Sequence, residues 1–502
     1  MRAYDVGMSA YTPSVAIVGS GFGGIAAAIA LLRDGVTDLT IFEKADDLGG
    51  VWRENTYPGA ACDVPSHVYS YSFFQRRTWT RPCSPHDEIH DYLQEAADTF
   101  GVTPRIRFAT EVTGATWDED ALRWELELGD GSTTTCDVLV PACGQLSIPV
   151  RPSIPGAETF AGRQFHSAEW DHDHDLRGRR VAVIGTGASA VQFVPPVAEE
   201  AAHLDVFQRT PNYMLPRRNL GYPAPVRAAI RWIPGLQTLR RNGMLLAMET
   251  MVKGLKGDRL IEGALRTWSK AFLRYHVRDA ELRRKLTPSF AYGCKRILFS
   301  SYYYPALTRE HVDLVDTPIT TITPDGIVTA DGAEHPADTI IWGTGFDTQA
   351  FVAPMEVTGA GGRTLREAWA DGAHAFFGLT VPGFPNLFLL YGPNTNLGVG
   401  SIVVMLEAQA RYIADAVAQL RAAGGRTAWD VRADVERAYD ERTQAHLSTS
   451  VWTRCASWYR NAAGRVVNNW PGYMFEYVRA TERLDPEHYL LLRARARSSS
   501  VS

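Results

Sequence analysis

The sequence predicts an α/β fold of two Rossmann-like dinucleotide-binding domains with a helical insertion. Two glycine-rich turns, each set between a short apolar strand and a helix of small residues, predict the two domains. A stretch of long helical periodicity, residues 217–285, predicts the insertion. At 502 residues and 45% hydrophobic, the chain is long enough for two or three separate cores.

The first unit opens with strand Val15–Val18, a helix from about Gly24 to Arg33 and a strand from Leu39 to Glu43. Thr110 to Leu128 alternates apolar and polar residues around Asp118-Glu-Asp120, which predicts an antiparallel hairpin. Strand Val138–Val140 then leads to a proline-rich connector, Ile148 to Gly156. The second unit follows as strand Arg180–Ile184, a helix from about Ala188 to Ala201 and strand Leu204–Phe207. Between Arg217 and Lys285 stand sixteen Lys and Arg against five Asp and Glu, a local balance of +11. That stretch reads as amphipathic helices with a solvated basic face, placed to cover a substrate entrance. Strands resume at Val312–Val315 and Thr339–Trp342, Ser401 to Ala422 reads as one long helix, and Arg493 to Ser502 as a disordered tail. The expected division is 1–147 and 330–502 for the first domain, 148–214 and 286–329 for the second, and 215–285 for the insertion.

Composition excludes several classes. A formal charge of −5, without zinc-finger spacing or a basic region leading into heptads, argues against nucleic acid as a partner. No metal-ligand set is read. Six cysteines (Cys62, Cys83, Cys136, Cys143, Cys294, Cys455) are scattered without a C-x-x-C pair, which suits a reducing cytoplasm and packed thiols at Cys62 and Cys294. The apolar run Val15–Leu32 is broken by four glycines, and Met244–Leu255 is interrupted by Glu249 and Lys253 and is short for a bilayer, so no stable membrane insertion is expected. Both a monomer and a homo-oligomer are compatible with these features.

Chemistry enters through the turns. In Gly19-Ser-Gly21-Phe-Gly-Gly24, Gly19 permits the tight turn, Gly21 lets backbone amides approach a pyrophosphate, and Gly24 lets the helix pack on the strand. Glu43, at the end of the next strand, can accept hydrogen bonds from ribose hydroxyls. The second turn, Gly185-Thr186-Gly187-Ala-Ser189-Ala190, is the G-x-G-x-x-A variant, and no acid closes its next strand. Arg209-Thr210 stands there instead. A guanidinium binds a 2′-phosphate that a carboxylate would repel, which favours NADPH over NADH. The alternative is a solvent-facing arginine of a βαβ loop.

Five further segments specify the class. Asp47-Leu-Gly-Gly50-Val51-Trp52, with Tyr57-Pro-Gly59-Ala-Ala-Cys-Asp63 after it, resembles the flavin-contacting segment of Baeyer-Villiger monooxygenases. Phe160-Ala-Gly162-Arg-Gln-Phe-His166-Ser-Ala-Glu-Trp170-Asp171 matches that family's F-x-G-x-x-x-H-x-x-x-W-[PD] fingerprint at every fixed position. Gly293-Cys-Lys295-Arg296 resembles its G-x-K-R segment, Ile341-Trp-Gly343-Thr-Gly345-Phe346-Asp347 its A-T-G-F-D return, and Phe384–Asn394 with Cys455–Tyr459 its C-terminal flavin-side and substrate-loop segments. Four positions depart from the pattern: Cys143 stands for Thr, Gly343 for Ala, and Arg53 and Glu54 for aromatic residues beside the flavin.

The resemblance implies FAD and NADPH as cofactors, with O2 and a small-molecule ketone as substrates and an ester or lactone as product. It adds Val51, Trp52, Tyr69 and Val112 to the cofactor-binding residues, Lys295 to the 2′-phosphate site, and a catalytic role for Arg296 held in place by Asp63. His166 reads as a hinge or packing residue ahead of an acid–base role, and Trp170 and Trp458 fit packing as well as substrate contact. The rival of the same architecture is a monooxygenase that oxidises amines or sulfides, which the ending His166 to Asp171 argues against. A disulfide reductase would carry a C-x-x-C pair.

Overall fold

Residues 11–256 and 258–494 are described by the computed structural model. Strand β1 (Val15–Val18), helix α1 (Phe22–Arg33) and strand β2 (Leu39–Phe42) form the expected βαβ unit. Strands β3 (Ile106–Arg107) and β4 (Val138–Pro141) complete a parallel sheet in the order β3-β2-β1-β4. Ile17 pairs with Ile41 on one side and Val140 on the other. Helices cover one face of this sheet and the antiparallel strands of residues 112–128 cover the other, so the central strands are apolar on both sides, and Val15, Ala16, Ile17, Val138, Leu139 and Val140 are all buried.

Residues 112–128 form the predicted hairpin, with Trp117 opposite Trp124 and burial that alternates along the strand. One face therefore packs and the other meets water.

The second unit is built from β5 (Arg163–His166), β6 (Arg180–Ile184), α2 (Ala188–Glu200), β7 (His203–Phe207), β8 (Val312–Val315) and β9 (Thr339–Trp342). These strands lie in the order β8-β7-β6-β9-β5. In each sheet the strand preceding the glycine turn sits in the interior, with its βαβ partner on one side and a later strand on the other. This topological switch point opens a crevice at the carboxyl ends of the strands, where ligands bind in such sheets.

Two expectations need correction. The second domain does not end at residue 329, since β9 pairs in parallel with both β6 and β5 and a three-stranded antiparallel sheet at 319–336 precedes it. The chain returns to the first unit only after Trp342. Arg493 does not open a disordered tail, because it closes strand Tyr489–Arg493 against Thr427–Val431; residues from 495 onward lie outside the described residues.

The insertion is helical as expected: α3 (Ala224–Trp232), α4 (Leu236–Leu255), α5 (Arg259–His276) and α6 (Ala280–Lys285). Among the described residues, no helix is long and apolar enough to cross a membrane. Helix α7 (Ile402–Ala423) packs along α1 and closes the first core.

Candidate active site

One cavity of about 1420 Å3 runs between the two units and is lined by both glycine turns. Its shape follows from missing Cβ atoms. Gly19 has φ +104°, and a Cβ there would stand 2.8 Å from the Ala142 carbonyl oxygen. Gly185 repeats this in the second unit, with φ +109° and a Cβ 2.4 Å from the Gly343 oxygen. Neither turn admits a side chain. Gly24 and Ala190 do not line the cavity; they let each helix close on its strand. A Cβ on Gly24 would fall 1.9 Å from the Gly19 oxygen, and the small Ala190 is buried beside Gly343. Gly21 meets only Gly50 at 3.8 Å, which leaves its cavity side open to a close-approaching ligand.

Glu43 is buried at the cavity wall. Its Oε2 accepts hydrogen bonds from the Ser20 amide at 2.9 Å and the Ser20 hydroxyl at 2.6 Å, and Oε1 accepts one from the Ala45 amide at 3.1 Å. Those bonds fix the carboxylate at the end of the strand and leave acceptor capacity towards the cavity. On the same side stand Val51, Trp52, Tyr69 and Val112. The Trp52 indole N–H donates to the Tyr69 hydroxyl at 3.2 Å, and Tyr69 packs edge-on against Phe22 at 5.1 Å. An apolar wall with few polar points suits a flat ring system.

Thr186, Gly187 and Ser189 line the second turn, and Arg209, Thr210 and Lys295 line the cavity beyond it. Burial pushes the Lys295 ammonium below the usual lysine range, and the adjacent Arg209 charge pushes it further. Two cations crowded together at a partly dry surface are mutually destabilising until an anion lies between them. Their donor set fits a phosphate.

Asp63 and Arg296, 233 residues apart in sequence, meet at this cavity: the guanidinium Nη2 donates to Asp63 Oδ2 at 2.7 Å. Burial alone would raise the Asp63 pKa, but Arg296, helped by Arg217, holds the carboxyl below the usual carboxylate range. The carboxylate in turn raises Arg296 above the ordinary arginine value. Both groups are charged, and each accounts for the other.

The fingerprint residues lie elsewhere, and none lines the cavity. A Cβ on Gly162 would reach the Asp338 oxygen at 2.4 Å and the Phe160 ring at 2.7 Å. His166 is buried, its Nδ1 accepts from the Ala168 amide at 3.1 Å, and burial keeps its pKa below the usual imidazole value. Its ring packs edge-on against Phe346. Trp170 packs on Phe165 and Phe193, and Asp171 accepts from Arg163 at 2.6 Å. These contacts secure edge strand β5 of the second sheet.

Several residues at the site escaped the sequence reading. Gln192 of α2 reaches across to the first unit: its Oε1 accepts from Tyr57 and from the Ala61 amide, and its Nε2 donates to the Ala61 carbonyl at 2.9 Å. Gly59 fits beneath it, since a Cβ there would lie 2.8 Å from the Gln192 main-chain carbonyl oxygen. Arg217 donates to the Cys62 carbonyl at 2.6 Å. Tyr391, whose hydroxyl donates to Asn396 at 2.7 Å, lines the cavity and feels the Arg296 charge. Only long-range contacts reveal these roles: the sequence around Gln192 and Arg217 carries no signal of its own, and the motif segments that hold Gly59 and Tyr391 do not single them out.

Cys294 corrects an expectation. It is not a packed thiol but forms a disulfide with Cys455. The bond ties the loop carrying Lys295 and Arg296 to the segment whose Ala456, Ser457 and Trp458 line the cavity. A separation of 161 residues and the lack of a C-x-x-C spacing hide such a pair in sequence. Cys62, Cys83, Cys136 and Cys143 are free.

Two dinucleotide units facing one cavity, with a partly buried arginine–carboxylate pair on its wall, define a flavin-dependent oxidoreductase with a nicotinamide partner. The profile of the family described as flavin-binding monooxygenase-like matches residues 12–248. A Baeyer-Villiger monooxygenase of Streptomyces coelicolor is 45% identical over 481 residues, 95% of this chain and 92% of that protein. Another from Pseudomonas aeruginosa is 40% identical, over 95% of this chain and 91% of its own length. The solved structure of an oxidised steroid monooxygenase bound to NADP superposes with a TM-score of 0.85 at 32% identity, covering 96% of this chain and all of that one. The chain belongs to the Baeyer-Villiger monooxygenases.

Alkylation of the denatured, unreduced protein is expected to label four thiols, rising to six after reduction, as read by intact mass. Six labels before reduction would contradict the Cys294–Cys455 bond.

Proposed function

We propose that this chain binds FAD at the first turn and NADPH at the second and inserts one oxygen atom from O2 beside the carbonyl of a small-molecule ketone, giving an ester or lactone. Bound and reduced, the flavin supplies the activation of O2 that no side chain provides. Glu43 holds the ribose of FAD, while Val51, Trp52, Tyr69 and Val112 wall the flavin. Arg209 and Lys295 hold the 2′-phosphate of NADPH, which relieves the crowding of their two charges. The same reading places the chain in the cytoplasm, where NADPH is at hand.

The observation that carries the assignment is the Asp63–Arg296 pair on a cavity shared by both units. Attack on a carbonyl puts negative charge on its oxygen, and in a site closed to water that charge needs a fixed partner. Arg296 supplies it. Asp63 fixes the guanidinium so that little reorganisation is needed when the charge appears. A pair of this kind leaves Arg296 with further N–H donors directed away from the carboxylate. The fingerprint residues, packed at the edge of the second sheet, have no such access, and a hinge or packing role suits their position.

Incubation of the yellow holoenzyme with NADPH, O2 and a panel of ketones, sulfides and amines, with products identified by mass spectrometry, is expected to give esters or lactones; sulfoxides or N-oxides alone would contradict the reading. Arg296→Ala is expected to retain bound FAD and lose product by at least about 100-fold, the size typical of removing an electrostatic stabiliser. Normal product from that variant would remove Arg296 from the mechanism. For Arg209→Ala, the KM for NADPH is expected to rise about tenfold or more while that for NADH barely moves, since only one carries the 2′-phosphate. Equal effects on both would argue for a solvent-facing arginine.

A further inference from the structure

The sequence of the insertion reads as helices with a solvated basic face, yet the structure leaves much of its apolar surface uncovered as well. Of the fourteen large apolar side chains exposed among the described residues, eight fall between Leu220 and Tyr275. Leu260 is 86% exposed, Tyr275 79% and Trp232 71%, whereas a monomer normally scatters such residues singly.

Their spacing is ordered. On α5, Leu260, Ala264, Trp268, Ala271 and Tyr275 share one arc of about 80° at 3.6 residues per turn, and all five are exposed. Arg259, Arg266, Lys270 and Arg274 occupy the adjoining arc and are exposed too. On the neighbouring α4, Leu239 and Leu246, each 70% exposed, lie seven residues apart, with Asn242, Gly243, Ala247 and Thr250 exposed around them and no charge among them. Trp232 and Ile233 end α3. The opposite sides of these helices are occupied: Leu265, Phe272 and Leu273 of α5 pack into the protein, as do Leu245 and Met248 of α4.

We infer that α3 to α5 form a docking face for an anionic lipid bilayer, with the apolar arc entering the interface and the basic arc contacting the headgroups. Charge selects this occupant. The surface sits in a segment with a balance of +11, in a chain whose total is −5, so pairing the same face of two copies would set like charge against like charge. An anionic bilayer offers the opposite sign and an apolar interior to the same surface. The aromatic residues have a rigid amphipathic ring or an apolar body with a polar tip, as interfacial anchors do. Among the described residues no helix is long and apolar enough to cross the membrane, so the contact is interfacial.

The inner side of α4 reaches the cavity wall. Arg241 donates to the carbonyls of His67, Val68 and Ser70, which flank Tyr69, and Leu245 and Met248 pack in one cluster with Leu397 of the cavity lining. A docked face would therefore bring the cavity close to the bilayer, where apolar ketones concentrate. That consequence rests on the proposed reaction, whereas the docking itself does not.

Co-sedimentation of the holoenzyme with sucrose-loaded vesicles tests the docking without any substrate. Binding is expected to vesicles of phosphatidylglycerol and phosphatidylcholine, with a partition coefficient about tenfold or more lower for phosphatidylcholine alone and falling with salt. Two surface variants separate the terms: Leu260→Ser/Trp268→Ser/Tyr275→Ser and Arg266→Glu/Lys270→Glu/Arg274→Glu. Each is expected to cut binding about tenfold or more while keeping bound FAD and ketone oxidation in detergent-free buffer. No binding to anionic vesicles, or binding unchanged in both variants, would overturn the inference. So would a dimer in analytical ultracentrifugation that the serine variant dissociates, since a second copy would then cover the face.

Discussion

The ion pair between Asp63 and Arg296 is the constraint around which the rest of the site is arranged. Both charges are partly withdrawn from water at this wall, and each removes the cost of holding the other there. Together, at 2.7 Å, they satisfy each other and present one positively charged edge to the cavity. Maintaining that distance requires two segments from opposite parts of the chain to stay in register. Gln192 and Gly59 hold the Asp63 segment onto the second unit, Arg217 holds the carbonyl of the preceding residue, and the Cys294–Cys455 bond anchors the loop of Arg296 from the other side. All of these contacts cross between elements distant in sequence.

That distribution explains what could be read from the amino acids alone. The glycine turns were legible because their requirements are local: Gly19 and Gly185 stand where the backbone has positive φ and a carbonyl oxygen occupies the place of a Cβ. Strands such as Val15–Val18 and Arg180–Ile184 were legible because a parallel sheet covered on both faces demands an uninterrupted apolar run. The hairpin at 112–128 announced itself by its alternation. Sheet membership was not legible in the same way. Thr339–Trp342 reads as a strand in isolation, but only its partners reveal that it belongs to the second sheet, which moves the return to the first unit past residue 342.

The residues of the shared cavity divide along the same line. Asp63 and Arg296 came from a resemblance in motif, and their meeting at 2.7 Å is a fact of the fold. Gln192 had no motif to flag it, and the disulfide had no spacing. On the insertion, helical periodicity predicted two-faced helices but not that the apolar arc would extend onto the uncovered side, because which arc is covered depends on where the neighbouring helices lie. The fingerprint around His166 shows the converse: five fixed positions identify the family, yet the side chains pack at a sheet edge and none of them lines the cavity.

If Asp63 acts through Arg296, a double-mutant cycle shows it. With Asp63→Ala, Arg296→Ala and the double variant, kcat/KM for a turned-over ketone would be measured alongside bound FAD. Each single change is expected to be severe and the double no worse than Arg296→Ala, a coupling of about 2 kcal/mol or more. Losses that simply add, or an Asp63→Ala enzyme with wild-type turnover, would contradict it.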